Sequence, residues 1–206
     1  MILSEHFVFL HLPKTGGSFV RELCTHYAPP AWKVRLLDHH PTIHDIPSEY
    51  ANLPIFGFVR NPFDWYVSWY TYLRKRRNDP FFNRVSEGGS KSFGETLRTV
   101  FETDIAGMLG RNCLFTDSPF GCYLNYVFGN NLREIRLGKF ESLREDLLRI
   151  WRSMVALPAS LEAQIRLYPE VNKGQRGDYR AYYDQPLRRL VERRDRLVLD
   201  RFDYRF

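Results

Sequence analysis

Three groups of residues have the types and spacing to do chemistry. The first is Pro13-Lys14-Thr15-Gly16-Gly17-Ser18, which follows a short apolar run and precedes a helical pattern. A strand that turns through glycines into a helix start makes an anion site. The N–H groups of the first turn have no partner within the helix, and the dipole adds about half a positive charge. Gly16 and Gly17 let the backbone approach a phosphate, Lys14 brings a full charge, and Thr15 and Ser18 bring hydroxyl donors. The second group is Arg60, at the end of an apolar strand pattern, with Ser68 in the second turn of the helix that follows. A guanidinium fork suits a phosphate monoester, and α/β sheets place ligands at strand ends. The third group is His39, His40 and His44, whose imidazoles titrate near neutrality and suit general-base work.

Taken singly, each group also has an ordinary structural explanation. The glycines can serve turn geometry, Arg60 can pair with a core carboxylate, and the histidines can lie on the surface. Lys14 precedes both glycines, whereas a Walker A lysine follows its last glycine, so ATP is not the expected ligand. No Glu-x-x-His pattern or cysteine accompanies the three histidines, so no metal is expected.

The elements that must position these residues read as strands alternating with helices. Phe7–Leu12 is a buried parallel strand closed by Pro13. Phe19, Val20, Leu23, Cys24 and Tyr27 recur at helical spacing until Pro29-Pro30. His11 within the first strand reads as a core histidine. Trp32–Leu37 is a candidate second strand, and Ile46–Leu53 a short helix. Pro54–Arg60 is the clearest strand; Asn61 caps the next helix, Pro62 suits its first position, and Arg74-Lys75-Arg76-Arg77 close it. The stretch 78–92 is polar and glycine-containing and reads as a mobile surface loop. Helices are expected over Phe93–Leu109, Phe120–Phe128 and Leu143–Val155, with a strand at Glu134–Phe140. A last helix begins near Pro186, with Leu187, Leu190, Val191, Leu197 and Val198 on one face. The pattern implies one α/β domain over 1–206, three-layered (α/β/α), with a mainly parallel sheet.

Bulk properties bound the answer. The 206 residues suffice for one domain with a core, and the net charge of +6 suits an anionic ligand without choosing one. Cys24, Cys113 and Cys122 are too few and too scattered for a disulfide framework and read as reduced thiols. No apolar run reaches 18 residues, so no membrane span is expected. The start lacks the basic and apolar regions of a signal peptide, so the cytoplasm is the default location unless the chain is cut from a longer secretory-pathway protein.

Leu12-Pro13-Lys14-Thr15-Gly16-Gly17-Ser18-Phe19 resembles the 5′-phosphosulfate loop of sulfotransferases that use 3′-phosphoadenosine 5′-phosphosulfate (PAPS). The run from Phe58 through Arg60 and Ser68 to Tyr70 resembles their 3′-phosphate site, in the family's order and spacing. Weaker likenesses are Lys139–Asp146, the late loop Asn172–Tyr183, and the ending Phe202-Asp203-Tyr204-Arg205-Phe206. The resemblance implies a P-loop-kinase-like sulfotransferase fold and PAPS as sulfuryl donor, with no metal. It assigns nucleotide binding to Lys14, Thr15, Gly16, Gly17, Ser18, Phe19, Arg60 and Ser68. In the late loop, Lys173 and Arg176 are the charges placed to meet the phosphate, although the serine many members carry there is absent. The resemblance also assigns the catalytic base to His40, twenty residues before Arg60 and followed by Pro41, with His39 second and His44 third. Lys14 would then stabilise charge on the departing phosphate oxygen. The implied acceptor is a hydroxyl on a carbohydrate or small metabolite. A small-molecule kinase is one alternative. A noncatalytic domain binding a nucleotide or polyanion is the other, suggested by the basic runs Arg74–Arg77 and Arg188–Arg196. No nucleic-acid module is visible.

Overall fold

Backbone pairing begins at Met1, whose carbonyl accepts from Leu37 N–H at 3.1 Å. In the computed structural model, which describes residues 1–37, 41–110, 114–115, 117–169, 171 and 177–206, Ile2–Leu3 is a strand. The elements in order are β1 (Ile2–Leu3), β2 (Val8–Phe9), α1 (Gly17–Tyr27), β3 (Arg35–Leu36), β4 (Ile55–Val59) and α2 (Pro62–Arg76). Next come α3 (Pro80–Ser86), α4 (Phe93–Glu102), α5 (Ile105–Leu109), α6 (Pro119–Phe128), β5 (Ile135–Lys139) and α7 (Leu143–Arg152). The last are α8 (Ala159–Leu167), α9 (Gln185–Arg194) and α10 (Arg196–Phe202).

The architecture is α/β, with a mixed five-stranded sheet in the order β3-β1-β2-β4-β5. β2 pairs with β4, and β4 with β5, in parallel; β1 runs antiparallel to both of its neighbours, β2 and β3. β1 is therefore the one reversed strand in this sheet. Ser4 makes the reversal: its hydroxyl accepts from the N–H groups of His6 and Phe7, both at 3.1 Å.

Two compact units share the described chain. One combines 1–60 with 127–173 and holds the sheet; the other combines 61–126 with 174–206 and is helical. In the α/β unit, Phe7, Phe9, Phe56 and Phe58 alternate onto one sheet face. They pack with Phe19, Val20 and Leu23 of α1, Leu147, Ile150 and Trp151 of α7, and Leu161 and Ile165 of α8. Phe7 stacks on Trp151 (5.9 Å, 23°), and Phe56 meets the same ring edge-on at 6.3 Å.

The helical unit is built on α2. Asn61 caps it as expected, its Oδ1 accepting from the Phe63 N–H at 3.2 Å. The stretch 78–92, expected as a loop, holds α3. Asp79 caps this helix through the Phe82 N–H (2.6 Å), and the fully buried Phe82 anchors it. The expected long helix over 93–109 breaks into α4 and α5, where Asp104 caps Gly107 at 2.9 Å. The last helix breaks too, at Asp195, leaving Leu197 62% exposed rather than on the buried face.

Asp195 itself is fully buried. Its Oδ1 accepts from the Tyr66 hydroxyl at 3.2 Å and from the Ser118 hydroxyl, while its Oδ2 has no hydrogen-bond partner among the described residues. Ser118 Oγ in turn accepts from the Gly121 N–H (2.7 Å), and Tyr66 Oη from the Phe120 N–H (3.1 Å). One carboxyl thus joins α2, the start of α6 and the junction of α9 with α10. Burial pushes its pKa up to about 7, against the opposing pull of the Ser118 and Tyr66 hydroxyls and of Arg194. No helix among the described residues is long and apolar enough to cross a membrane.

Candidate anion-binding site

The glycine turn is shaped from within the α/β unit. β2 continues past its ladder, with Leu10 N donating to Phe56 O at 3.0 Å, and the buried Thr15 hydroxyl donates back to Leu12 O at 2.6 Å. Lys14 (φ 69°) and Gly16 (φ 87°) both adopt left-handed backbone. For lysine this costs about 1 kcal/mol, so the surrounding structure must hold it. Arg60 Nη1 does so in part, donating to Lys14 O at 2.9 Å.

The two glycines serve packing as much as any ligand. A Cβ on Gly16 would stand 2.7 Å from Leu143 Cδ2, and one on Gly17 would stand 2.0 Å from the His11 ring. His11 is half-buried, stacks on Phe9 (6.1 Å, 18°) and sets its ring against Gly17, so it is not a fully buried core histidine.

The donors at the start of α1 fall into two sets. The N–H groups of Gly16, Gly17 and Ser18 find no acceptor among the described residues. Phe19 N–H, by contrast, is occupied by Gly16 O at 3.0 Å, and its ring is in the core with the Arg144 guanidinium over it at 4.8 Å. Phe19 was expected among the ligand-binding residues, but neither its N–H nor its side chain is presented to an anion. The Thr15 hydroxyl proton is likewise committed inside the turn, although the residue remains part of the loop.

Arg60 follows directly on β4 and is only 6% exposed. Its guanidinium lies 4.1 Å from the Phe140 ring centroid, a cation–π contact. Phe140 opens the 3-10 turn Phe140–Ser142 after β5, and a Cβ on Gly16 would stand 3.2 Å from its ring. The weak likeness at Lys139–Asp146 therefore falls beside the site. Asp146 braces this corner: its Oδ2 accepts from Lys139 N–H at 2.7 Å and Ser142 Oγ at 3.0 Å, and its Oδ1 from Arg149 at 2.7 Å. Burial alone would raise the Asp146 pKa, but these donors hold it below the ordinary value. Sequence reasoning missed Phe140 as a platform. The signal was an aromatic residue directly after a strand that pairs with the Arg60 strand.

The structure thus brings Lys14, Thr15, Gly16, Gly17, Ser18 and Arg60 together in the α/β unit. Ser68 belongs to the helical unit, on the second turn of α2, 8% exposed. His39, His40, Lys173 and Arg176 lie outside the described residues. His44 sits exposed on a 3-10 turn (Ile43–Asp45) closed by a Thr42–Asp45 capping box. The first-turn N–H groups of α1 and the Arg60 guanidinium are hydrogen-bond donors, chemistry that suits an anion. Comparison with known proteins finds no family model that matches the chain and no curated protein with significant similarity to it.

Proposed function

We propose that the chain is a sulfotransferase with the three-layer fold of PAPS-dependent enzymes, moving a sulfuryl group from PAPS to a hydroxyl of a carbohydrate or small-metabolite acceptor. The observation that carries this reading is Arg60. A guanidinium 6% exposed, stacked on Phe140 and bonded to the carbonyl of Lys14, ties the end of β4 to the glycine turn. A cation held this way is suited to a phosphate whose position must be fixed.

Lys14 and the first-turn N–H groups of Gly16, Gly17 and Ser18 would bind the 5′-phosphosulfate, and Arg60 with Ser68 the 3′-phosphate. PAPS, when bound, supplies the sulfuryl group and leaves as 3′-phosphoadenosine 5′-phosphate. The base, assigned to His40, takes the acceptor proton as the acceptor oxygen bonds to sulfur and the sulfur–phosphate oxygen bond breaks. Lys14 offsets the charge left on that oxygen. Cys24 is a buried thiol, and burial pushes it up to about 12.

The test is thermal stabilisation by 3′-phosphoadenosine 5′-phosphate beside ATP, ADP and AMP. At a hundredfold excess over Kd, binding adds about 2.7 kcal/mol, or roughly 5–10 °C for a chain of this size. A shift with the 3′-phosphorylated nucleotide alone, lost in Arg60→Ala, supports the proposal. A shift with ATP alone would point to a kinase, and no shift would end the sulfotransferase reading.

A further inference from the structure

The first turn of α2 is held by more than its cap. Asn61 Nδ2 donates to Arg205 O at 2.7 Å while its Oδ1 caps the helix. The Tyr183 hydroxyl donates to Phe63 O at 2.8 Å, a carbonyl the helix already uses for its own bond, so this bond is additional to the helix's needs. The buried Phe63 ring meets Phe206 edge-on at 5.0 Å and Tyr183 at 5.4 Å. Phe206 is itself boxed, with Tyr183 at 5.6 Å, Tyr179 at 5.9 Å and the Arg188 guanidinium over its ring at 4.4 Å. A 3-10 turn, Tyr179–Tyr182, carries these tyrosines into place, capped by Asp178 through Arg180 N–H at 3.0 Å.

We propose that Tyr183 and Phe206 form a clasp on the first turn of α2 and are positioning residues for the 3′-phosphate. Asn61 and Pro62 suffice to start a helix. What the clasp adds is a fixed axis and rotation for α2, and therefore a fixed place for the Ser68 hydroxyl one turn further along. A hydroxyl misplaced by an ångström loses most of a charge-assisted hydrogen bond. The clasp touches no nucleotide; it acts through the helix. This inference rests on the proposed PAPS site and goes beyond it, because it assigns a task to the last residues of the chain.

The experiment is titration calorimetry of the full chain with 3′-phosphoadenosine 5′-phosphate and with AMP, which lacks the 3′-phosphate. Tyr183→Phe removes one hydroxyl and keeps the ring. It should weaken the 3′-phosphorylated nucleotide about fivefold, the scale of one hydrogen bond, and leave AMP unchanged. Phe206→Leu should do the same, and Phe206→Trp, which keeps an aromatic edge, should restore tight binding. Unchanged affinity in both Tyr183→Phe and Phe206→Leu overturns the clasp. So does an equal loss for both nucleotides, which would mark general loosening. A wild-type protein that binds the two nucleotides alike would instead remove the PAPS reading, and the clasp's role with it.

Discussion

Replacing Asp195 with asparagine should remove a pH dependence that the fold builds in. The carboxyl is fully buried, with Oδ1 satisfied by Tyr66 and Ser118 and Oδ2 without a partner among the described residues. Burial, outweighing the pull of those hydroxyls and of Arg194, raises its pKa from 3.8 to about 7. Tyr66, also raised by burial, stays a neutral donor throughout. In the unfolded chain the acid ionises near pH 4; in the folded chain it keeps its proton until about pH 7. Between those values the native state binds more protons, so stability falls as pH rises. The contribution is full below about pH 4 and gone above about pH 7. At about 1.4 kcal/mol per pH unit the loss is about 4 kcal/mol.

Asp195→Asn cannot ionise and loses this slope. Its buried amide N–H costs about 1–3 kcal/mol, so the variant is weaker than wild type at pH 4.5 and stronger at pH 8. Urea denaturation at half-unit pH steps gives both curves, and their difference cancels every other titrating group. Parallel curves, with no crossing, would refute the assignment of the slope to Asp195.

Arg60→Ala should abolish stabilisation by 3′-phosphoadenosine 5′-phosphate while leaving a folded protein by circular dichroism. His40→Ala should lower turnover by about 10²–10⁴ and spare nucleotide binding, whereas His44→Ala, on its exposed turn, should change neither; sulfate-transfer assays separate the two. Gly17→Ala forces a Cβ into the His11 ring and should cost about 1–3 kcal/mol. His11→Ala combined with Gly17→Ala should recover most of that loss in a denaturation-based double-mutant cycle.

Elements with strong local signals were legible in the sequence. α2 announced itself through Asn61 and Pro62, and β4 through an unbroken apolar run before Arg60. β1 did not, because two residues carry no periodicity; only the partner strands β2 and β3 make Ile2–Leu3 a strand. α3 was hidden because Asp79, Pro80 and the glycines that follow look like turn residues, and the burial of Phe82 decides otherwise. The break at Asp195 runs against the rule that charges stay outside, and it is held by two hydroxyls far away in sequence. In the site, the glycine turn and Arg60 were readable as a phosphate pattern. The Phe140 platform was not, since it depends on β5 lying beside β4. Phe19 occupies a motif position yet turns its ring into the core, because a motif position does not say which way a side chain points.

The two units are interleaved along the chain, which crosses from one to the other at Arg60–Asn61, again at Tyr126–Val127, and a third time at Lys173–Gly174. During synthesis, β4 emerges with its parallel neighbour β5 still unmade, since Ile55 must wait for Ile135. The aromatic face of the sheet stays open until α7 and α8 follow, and Asp195 arrives later still. The sheet is therefore completed only once β5, α7 and α8 have been made, and nascent chains halted before α7 should be clients for chaperones that bind exposed phenylalanine-rich strands.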